Sequence, residues 1–221
     1  MHIELKQAFS FESDEIIKRE LFERVTYPWE VLELLGFFIL QVGNTLSSDF
    51  EEIEKNVWVH KTAKIDKSAK IAGPVIIRRN CEIRHCALVR SNMIIGENSI
   101  IGSSTEVKNS IFYNNVQVAH FNYVGDSILG NCVHLGAGAI ISNMRGDKKN
   151  IIVNYGNEKL DTNLRKFGAI VGDNTEIGCN AVLNPGTILG NDCAVYPLTM
   201  VRGYVKSNSI CKNTGEIIEK K

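Results

Sequence analysis

The sequence has no excess of either charge. Lys and Arg together number 25 and Asp and Glu together 25. No long-range field therefore draws in nucleic acid or an anionic membrane, and any anion site has to be local. A basic stripe is also missing, so no nucleic-acid partner is expected. The six cysteines form no CxxC pair and follow no metal-ligand spacing, and no secretory leader precedes them. Neither a disulfide framework nor a structural metal is expected, and a reducing cytoplasm is the expected compartment. Long apolar runs are absent as well. Val31–Val42 is apolar but shorter than the roughly 20 residues a bilayer requires, and Glu30 and Glu33 sit at its edge. A buried helix is expected there, and no membrane partner. No GxSxG elbow occurs and no cysteine has a motif-like histidine partner, so a covalent acyl-enzyme is not expected. A Gly-rich nucleotide-binding loop with a following basic residue is likewise missing.

What the sequence does contain is a repeat. Val59, Ile65, Ile71, Ile77, Ile83, Val89, Ile95, Ile101 and Val107 follow one another at intervals of six, and the frame returns as Val171, Ile177, Leu183, Leu189, Val195 and Val201. A helix of period about 3.6 cannot keep such positions on one face, and an isolated strand alternates with a period of about two. Short strands coiling round a triangular prism can. The residue four places after each anchor is usually small, as at Cys81, Ala87, Ser99, Thr105, Ala181 and Cys193. Glycine often follows the anchor directly, as at Gly96, Gly102, Gly136 and Gly178, and is read as supplying backbone freedom for sharp corners. Between Val107 and Leu135 the anchors Phe112, Val118, Val124 and Leu129 include two steps of five.

The repeat divides the chain. Residues 1–56 form an expected N-terminal helical segment, with helical spacing over residues 12–41 and Pro28 placed where a second helix could start. Residues 57–205 form the coil, interrupted by a polar insertion over residues 144–168. Residues 206–221 read as an extension, with Asn213-Thr214-Gly215 as a turn between two short strands.

If three hexads complete one coil, residues three anchors apart are neighbours roughly 4.8 Å apart. Arg90 and Lys108 then lie side by side, an arrangement that invites an anion such as a phosphate or leaves two side chains splayed into water. The same arithmetic puts His120 beneath Ala137, within a Gly136-Ala137-Gly138 strand. A histidine beside a closely approachable backbone N–H suits acyl transfer to an amine or hydroxyl, although a lone histidine on a repeat is more often structural or merely exposed. Tyr123, His134 and Asn143 fall near the same coils and could orient a polar ligand.

The run VKNSIFYNNVQVAHFNYVGDSILGNCVHLGAGAIISN, Val107 to Asn143, resembles the acetyltransferase domain of bifunctional N-acetylglucosamine-1-phosphate uridyltransferase/glucosamine-1-phosphate acetyltransferase. The similarity holds without a gap from Arg90. Looser similarity through RKFGAIVGD and NPGTILG reaches about Val205 and resembles the C-terminal halves of related sugar nucleotidyltransferases. The segment Tyr27-Pro28-Trp29-Glu30 resembles their linker. This resemblance implies an all-β fold, a single-stranded left-handed parallel β-helix of hexapeptide repeats, here with a small N-terminal helical appendage. It implies acetyl-CoA as co-substrate and direct acetyl transfer to an amino-sugar phosphate such as glucosamine 1-phosphate. His120 matches the general base. Arg90, Lys108, Tyr123, His134 and Asn143 match substrate contacts, and Ala137, Cys179 and Pro197 match positions beside coenzyme A. A homotrimer with sites between subunits is implied too. His134 stands where the family usually has asparagine and Met144 where it has tyrosine, and the insertion is expected to reshape the rim of the coenzyme A site.

Two other functions are compatible with the fold. One is a non-catalytic β-helix that trimerises or senses a sugar nucleotide, distinguished by indifference to replacement of His120. The other is a zinc carbonic anhydrase, which requires three convergent imidazoles. No second histidine follows His120 closely, and His85 and His134 lie at unhelpful spacings.

Overall fold

The computed structural model describes Ile17 and residues 20–220. The helical spacing read over residues 12–16 and at residues 18 and 19 lies outside the described residues. From Val57 onward, strands mostly of two to four residues wind into a parallel β-helix with three faces, as the repeat implies, and its left-handed sense is the one implied by the family resemblance. The first face begins at Phe50–Glu54 and Val57–His60 and holds nine strands. The second, beginning at Lys64–Ile65, also holds nine, and the third, beginning at Lys70–Ile71, holds seven. Coil-to-coil pairing is parallel throughout. Within the three faces, among the described residues, antiparallel strands are added only at the ends, where Phe50–Glu54 pairs with Val57–His60 and Ile217–Glu219 pairs with Ser209–Cys211.

The anchors point inward and form one buried column per face. Val107 pairs with Val89 on one side and Val124 on the other, so one coil spans 18 residues and the next 17. The two steps of five are thus two shortened corners.

Corner residues turn through the left-handed region, and asparagine dominates there. Asn80, Asn92, Asn98, Asn115, Asn174 and Asn180 have φ between 54° and 63°. Asparagine tolerates that region better than other residues with a Cβ, and its amide also bonds along the stack. Asn80 Nδ2 donates to Asn98 Oδ1 at 3.1 Å and Asn92 Nδ2 to Asn109 Oδ1 at 3.2 Å. The glycines that follow the anchors do a different job from the one expected. Gly96, Gly102, Gly136 and Gly178 do not have positive φ. A Cβ on Gly102 would stand 1.6 Å from the Ala119 carbonyl oxygen, and one on Gly178 2.4 Å from the Pro197 nitrogen. These glycines let successive coils stack closely, while the asparagines make the turns.

A second apolar cluster lies outside the coil. Trp58, Ile76, Ile94, Ile111, Ile128, Ile170 and Ile188 project outward from the first face, where the helix Val31–Gly43 and the insertion cover them. Pro28–Glu30 forms a single turn leading into that helix, and the Thr26 and Tyr27 N–H groups donate to Glu30 Oε2 at 2.8 and 3.0 Å. The helical part of residues 1–56 ends at Gly43, and Phe50–Glu54 is already sheet. The insertion forms an antiparallel hairpin, Ile152–Tyr155 with Glu158–Asp161. Its Ile151, Val153, Leu164 and Phe167 join the outer cluster, and the Phe167 ring lies 5.8 Å from that of Trp29. Beyond Val205 the coil continues, since Ser209–Cys211 pairs in parallel with Ala194–Val195 before the turn at Gly215. Among the described residues, no helix is long and apolar enough to cross a membrane.

Candidate active site

The corner between the second and third faces stacks His85, Ser103, His120, Ala137, Cys179 and Pro197 in one column. Backbone bonds define it. Phe121 N–H donates to Ser103 O at 3.1 Å, Gly138 N–H to His120 O at 3.0 Å, Asn180 N–H to Ala137 O at 2.9 Å and Leu198 N–H to Cys179 O at 3.0 Å. His120 thus lies directly below Ala137, with Cys179 and Pro197 continuing the line. The imidazole of His120 is exposed. Among the described residues, no group accepts the Ala137 N–H, which leaves a backbone donor without a partner one coil from His120.

Asn122, which the sequence reading passed over, fixes this corner. It is buried, its Oδ1 accepts the His120 N–H at 3.0 Å, and its Nδ2 donates to Gly136 O at 2.8 Å and Ala139 O at 3.1 Å. One side chain therefore ties the His120 corner to the Gly136–Ala139 turn above it.

The other edge of the third face carries charge. Arg90 Nη1 donates to Glu106 Oε1 at 2.8 Å, and Lys108 Nζ donates to Asp126 Oδ2 at 2.8 Å. Arg90 and Lys108 occupy adjacent coils as the spacing implied, and each has its own carboxylate. Asp126 is almost fully buried. It also accepts Asn109 Nδ2 at 2.8 Å and the Asn143 amide. The column Asn92, Asn109, Asp126, Asn143 runs at a constant spacing of 17, and that regularity was the available sign that Asp126 belongs with the cations.

Tyr123 starts the strand Tyr123–Gly125 between the two edges, and its side chain reaches the cationic one. Its hydroxyl accepts Asn143 Nδ2 at 3.2 Å, and Gly125 leaves room for both, since a Cβ there would meet each at 2.7 Å. Burial, reinforced by the nearby Asp126 and Glu106 carboxylates, raises the Tyr123 phenol above its ordinary pKa, so it stays a neutral hydroxyl. A cleft of about 650 Å³ opens beside Arg90, Lys108 and Asp126, closed by Glu33 of the helix and by Arg165 and Lys166 of the insertion. His134 is not part of this group. It faces outward on the second face between Gln117 and Glu176, with its Nδ1 2.7 Å from Glu176 Oε2. The insertion leaves the coil at the edge between the third and first faces and packs on the first, so it borders the cationic cleft rather than the Ala137 column.

One expectation about cysteine chemistry is overturned. Cys86 does have a histidine partner, its Sγ lying 3.3 Å from His85 Nε2. The signal was sequence adjacency at a corner, where Cys86 turns through the left-handed region and its sulfur meets the neighbouring imidazole. Buried Cys81 and Cys211 are the opposite case, since burial pushes both thiols up to about 11. Among the described residues, no three His, Cys, Asp or Glu side chains converge to hold a metal ion.

With this geometry in view, residues 71–158 match the family model of the GMPPB C-terminal domain. The chain is 43% identical over 197 residues to the bifunctional protein GlmU of Methanococcus maripaludis strain C7, covering 88% of this chain and 48% of that protein. The chain is similar to bifunctional GlmU proteins. A second, from Methanococcus aeolicus, is 35% identical over 53% of this chain and 28% of its own length. A bifunctional sugar-1-phosphate nucleotidylyltransferase/acetyltransferase of Sulfurisphaera tokodaii is 36% identical over 44% and 24% respectively. The chain spans about half the length, or less, of the curated relatives it matches. Among solved structures, the UDP-N-acetylglucosamine acyltransferase from Campylobacter jejuni superposes with a TM-score of 0.44 at 15% identity, over 72% of this chain and 73% of the other.

Proposed function

We propose that this chain transfers an acetyl group directly from acetyl-CoA to the amine of an amino-sugar phosphate resembling glucosamine 1-phosphate. The observation that carries the reading is the third face itself. A solvent-facing imidazole and an unpaired backbone N–H stand at one edge and a pair of cations at the other, with Tyr123 on the strand between them and Asn143 beside the cations. The intervening strand, Tyr123–Gly125, separates the edges by roughly 10 Å at about 3.3 Å per residue, a span suited to a hexosamine lying across it with its phosphate at the cations. Similarity to GlmU proteins supports the same chemistry.

In this reading the substrate amine attacks the thioester carbonyl, and His120 Nε2 or Nδ1 takes the proton that the nitrogen sheds. The Ala137 N–H donates toward the carbonyl oxygen as negative charge gathers there. Coenzyme A leaves as the thiolate along the Ala137, Cys179 and Pro197 column and takes the proton back from His120 to become the free thiol. Lys108 retains two donors beyond the one given to Asp126, and these, with Arg90, hold the phosphate. Asp126 keeps the ammonium in place and sets its direction.

A homotrimer belongs to the proposal because of what lies exposed near the column. Phe121, Tyr196, Leu198 and Met200 are 64, 45, 73 and 65% exposed, an apolar rim that a second subunit would cover. His134, on the second face, would then reach the acceptor only from a neighbouring subunit. The test is thiol release from acetyl-CoA with glucosamine 1-phosphate beside unphosphorylated glucosamine, together with the solution mass. Rapid release with the phosphate alone and a mass of three chains is expected. No release with either sugar, from a protein of intact fold, would favour the non-catalytic sugar-nucleotide-sensing scaffold.

A further inference from the structure

Two and three coils below His120, the same corner carries four side chains that the acyl-transfer reading does not use. Asp66 and Ser68 come from one coil, His85 and Cys86 from the next. Ser68 Oγ donates to Asp66 Oδ1 at 2.6 Å, and the Ser68 N–H donates to the same oxygen at 2.9 Å. Those bonds hold the Asp66 carboxyl below its ordinary pKa, so it is ionised and can only accept. The single proton of the Ser68 hydroxyl is thereby committed. Its oxygen must act as acceptor toward its other two neighbours, the Cys86 N–H at 3.0 Å and His85 Nδ1 at 2.8 Å. His85 accordingly carries its proton on Nδ1, which leaves Nε2 as a bare acceptor 3.3 Å from Cys86 Sγ. The network selects one tautomer, the one able to take the thiol proton.

We propose that Cys86 is a covalent modification site, an activated thiol that exchanges with small disulfides, with His85 as its base and Ser68 and Asp66 as the groups that orient the base. A nucleophile beside a base that is itself held by a third group is the general arrangement of an activated nucleophile. In the step, His85 Nε2 takes the Cys86 proton and the sulfur attacks one sulfur of the disulfide. The disulfide bond breaks, a mixed disulfide forms on Cys86, and the second sulfur departs and is protonated from His85. The cysteine sulfur is oxidised and the departing sulfur reduced, and the incoming disulfide is the only oxidant. His85 is 70% exposed, and Cys86 is exposed and lies outside the clefts that border the acceptor face, which suits a small diffusing reagent rather than a bound substrate.

The protein contains its own controls. Cys132 and Cys179 are exposed as well, and neither has a histidine beside its sulfur among the described residues. The native chain is treated with iodoacetamide at neutral pH, and alkylation of each cysteine is followed by peptide mass spectrometry. Cys86 is expected to react about tenfold faster than Cys132 or Cys179, and His85→Gln to bring it to their rate. Ser68→Ala, which leaves both reacting groups in place but releases the tautomer, is expected to lose part of the advantage. Oxidised glutathione is expected to leave one adduct, on Cys86, removable by dithiothreitol. Equal rates at the three cysteines, or fast labelling that persists in His85→Gln, would overturn the proposal. Because alkylation is read without acetyl-CoA or sugar, neither result depends on the acetyl-transfer reading.

Discussion

The molecule has two apolar cores, and they are built on different rules. The inner core fills the coil with one anchor per strand. Each anchor touches equivalents in the coils above and below, so its residues recur at fixed spacing. The outer core sits on the first face, where the helix Val31–Gly43 and the insertion lie against outward-facing isoleucines, and no repeat governs what covers them. A fold can therefore specify its backbone by periodicity and its accessory surfaces by individual contacts. The cationic cleft is made where the two meet, at the edge between the third and first faces.

Perturbing each core separates the rules. Phe112→Ala in the inner core is expected to cost about 3–5 kcal/mol in denaturant unfolding and to destabilise the whole coil, because the gap interrupts a continuous column. Phe167→Ala in the outer core, with the Trp29 contact gone, is expected to cost about 3 kcal/mol. Its effect should be confined to the insertion, seen as new proteolytic cleavage there while the coil's circular dichroism persists. Gly102→Ala is expected to cost roughly 1–3 kcal/mol, since the added methyl meets the Ala119 backbone and not a yielding side chain. Gly146→Ala in the insertion, where nothing lies within 4 Å, should stay within about 0.5 kcal/mol. Arg79→Ala, which breaks only the surface pair with Glu97, should leave the unfolding midpoint almost unmoved. Equal and global losses from the Phe112 and Phe167 changes would mean that the two cores unfold as one.

The same contrast explains what could be read from the sequence. The coil was legible because Val59 to Val107 mark it at every sixth position and because the steps of five at Phe112 and Leu129 predict the shortened coils. The pairing of His120 with Ala137, and of Arg90 with Lys108, followed from counting along that frame. The role of the glycines did not, since a close backbone approach and a positive φ select the same residue type. The covering of the first face was written in triplets such as Val75-Ile76-Ile77 and Met93-Ile94-Ile95, where the outward residue is as apolar as the inward ones, a sign of burial on both sides. His134 was grouped with Tyr123 by nearness in the chain, although the two corners between them put them on different faces. Asp126 was missed because a buried carboxylate is recognised only once its partners, Lys108, Asn109 and Asn143, are known to converge.

The central claim is that the two edges of the third face divide the work, with His120 serving the chemistry and the cations serving binding. Steady-state kinetics of His120→Ala and Arg90→Ala with acetyl-CoA and glucosamine 1-phosphate tests it most directly. His120→Ala is expected to lower kcat by about 10²–10⁴ with little change in KM, and Arg90→Ala to raise the KM for the sugar phosphate while kcat changes far less. A His120→Ala protein that turns over at the wild-type rate would contradict the account.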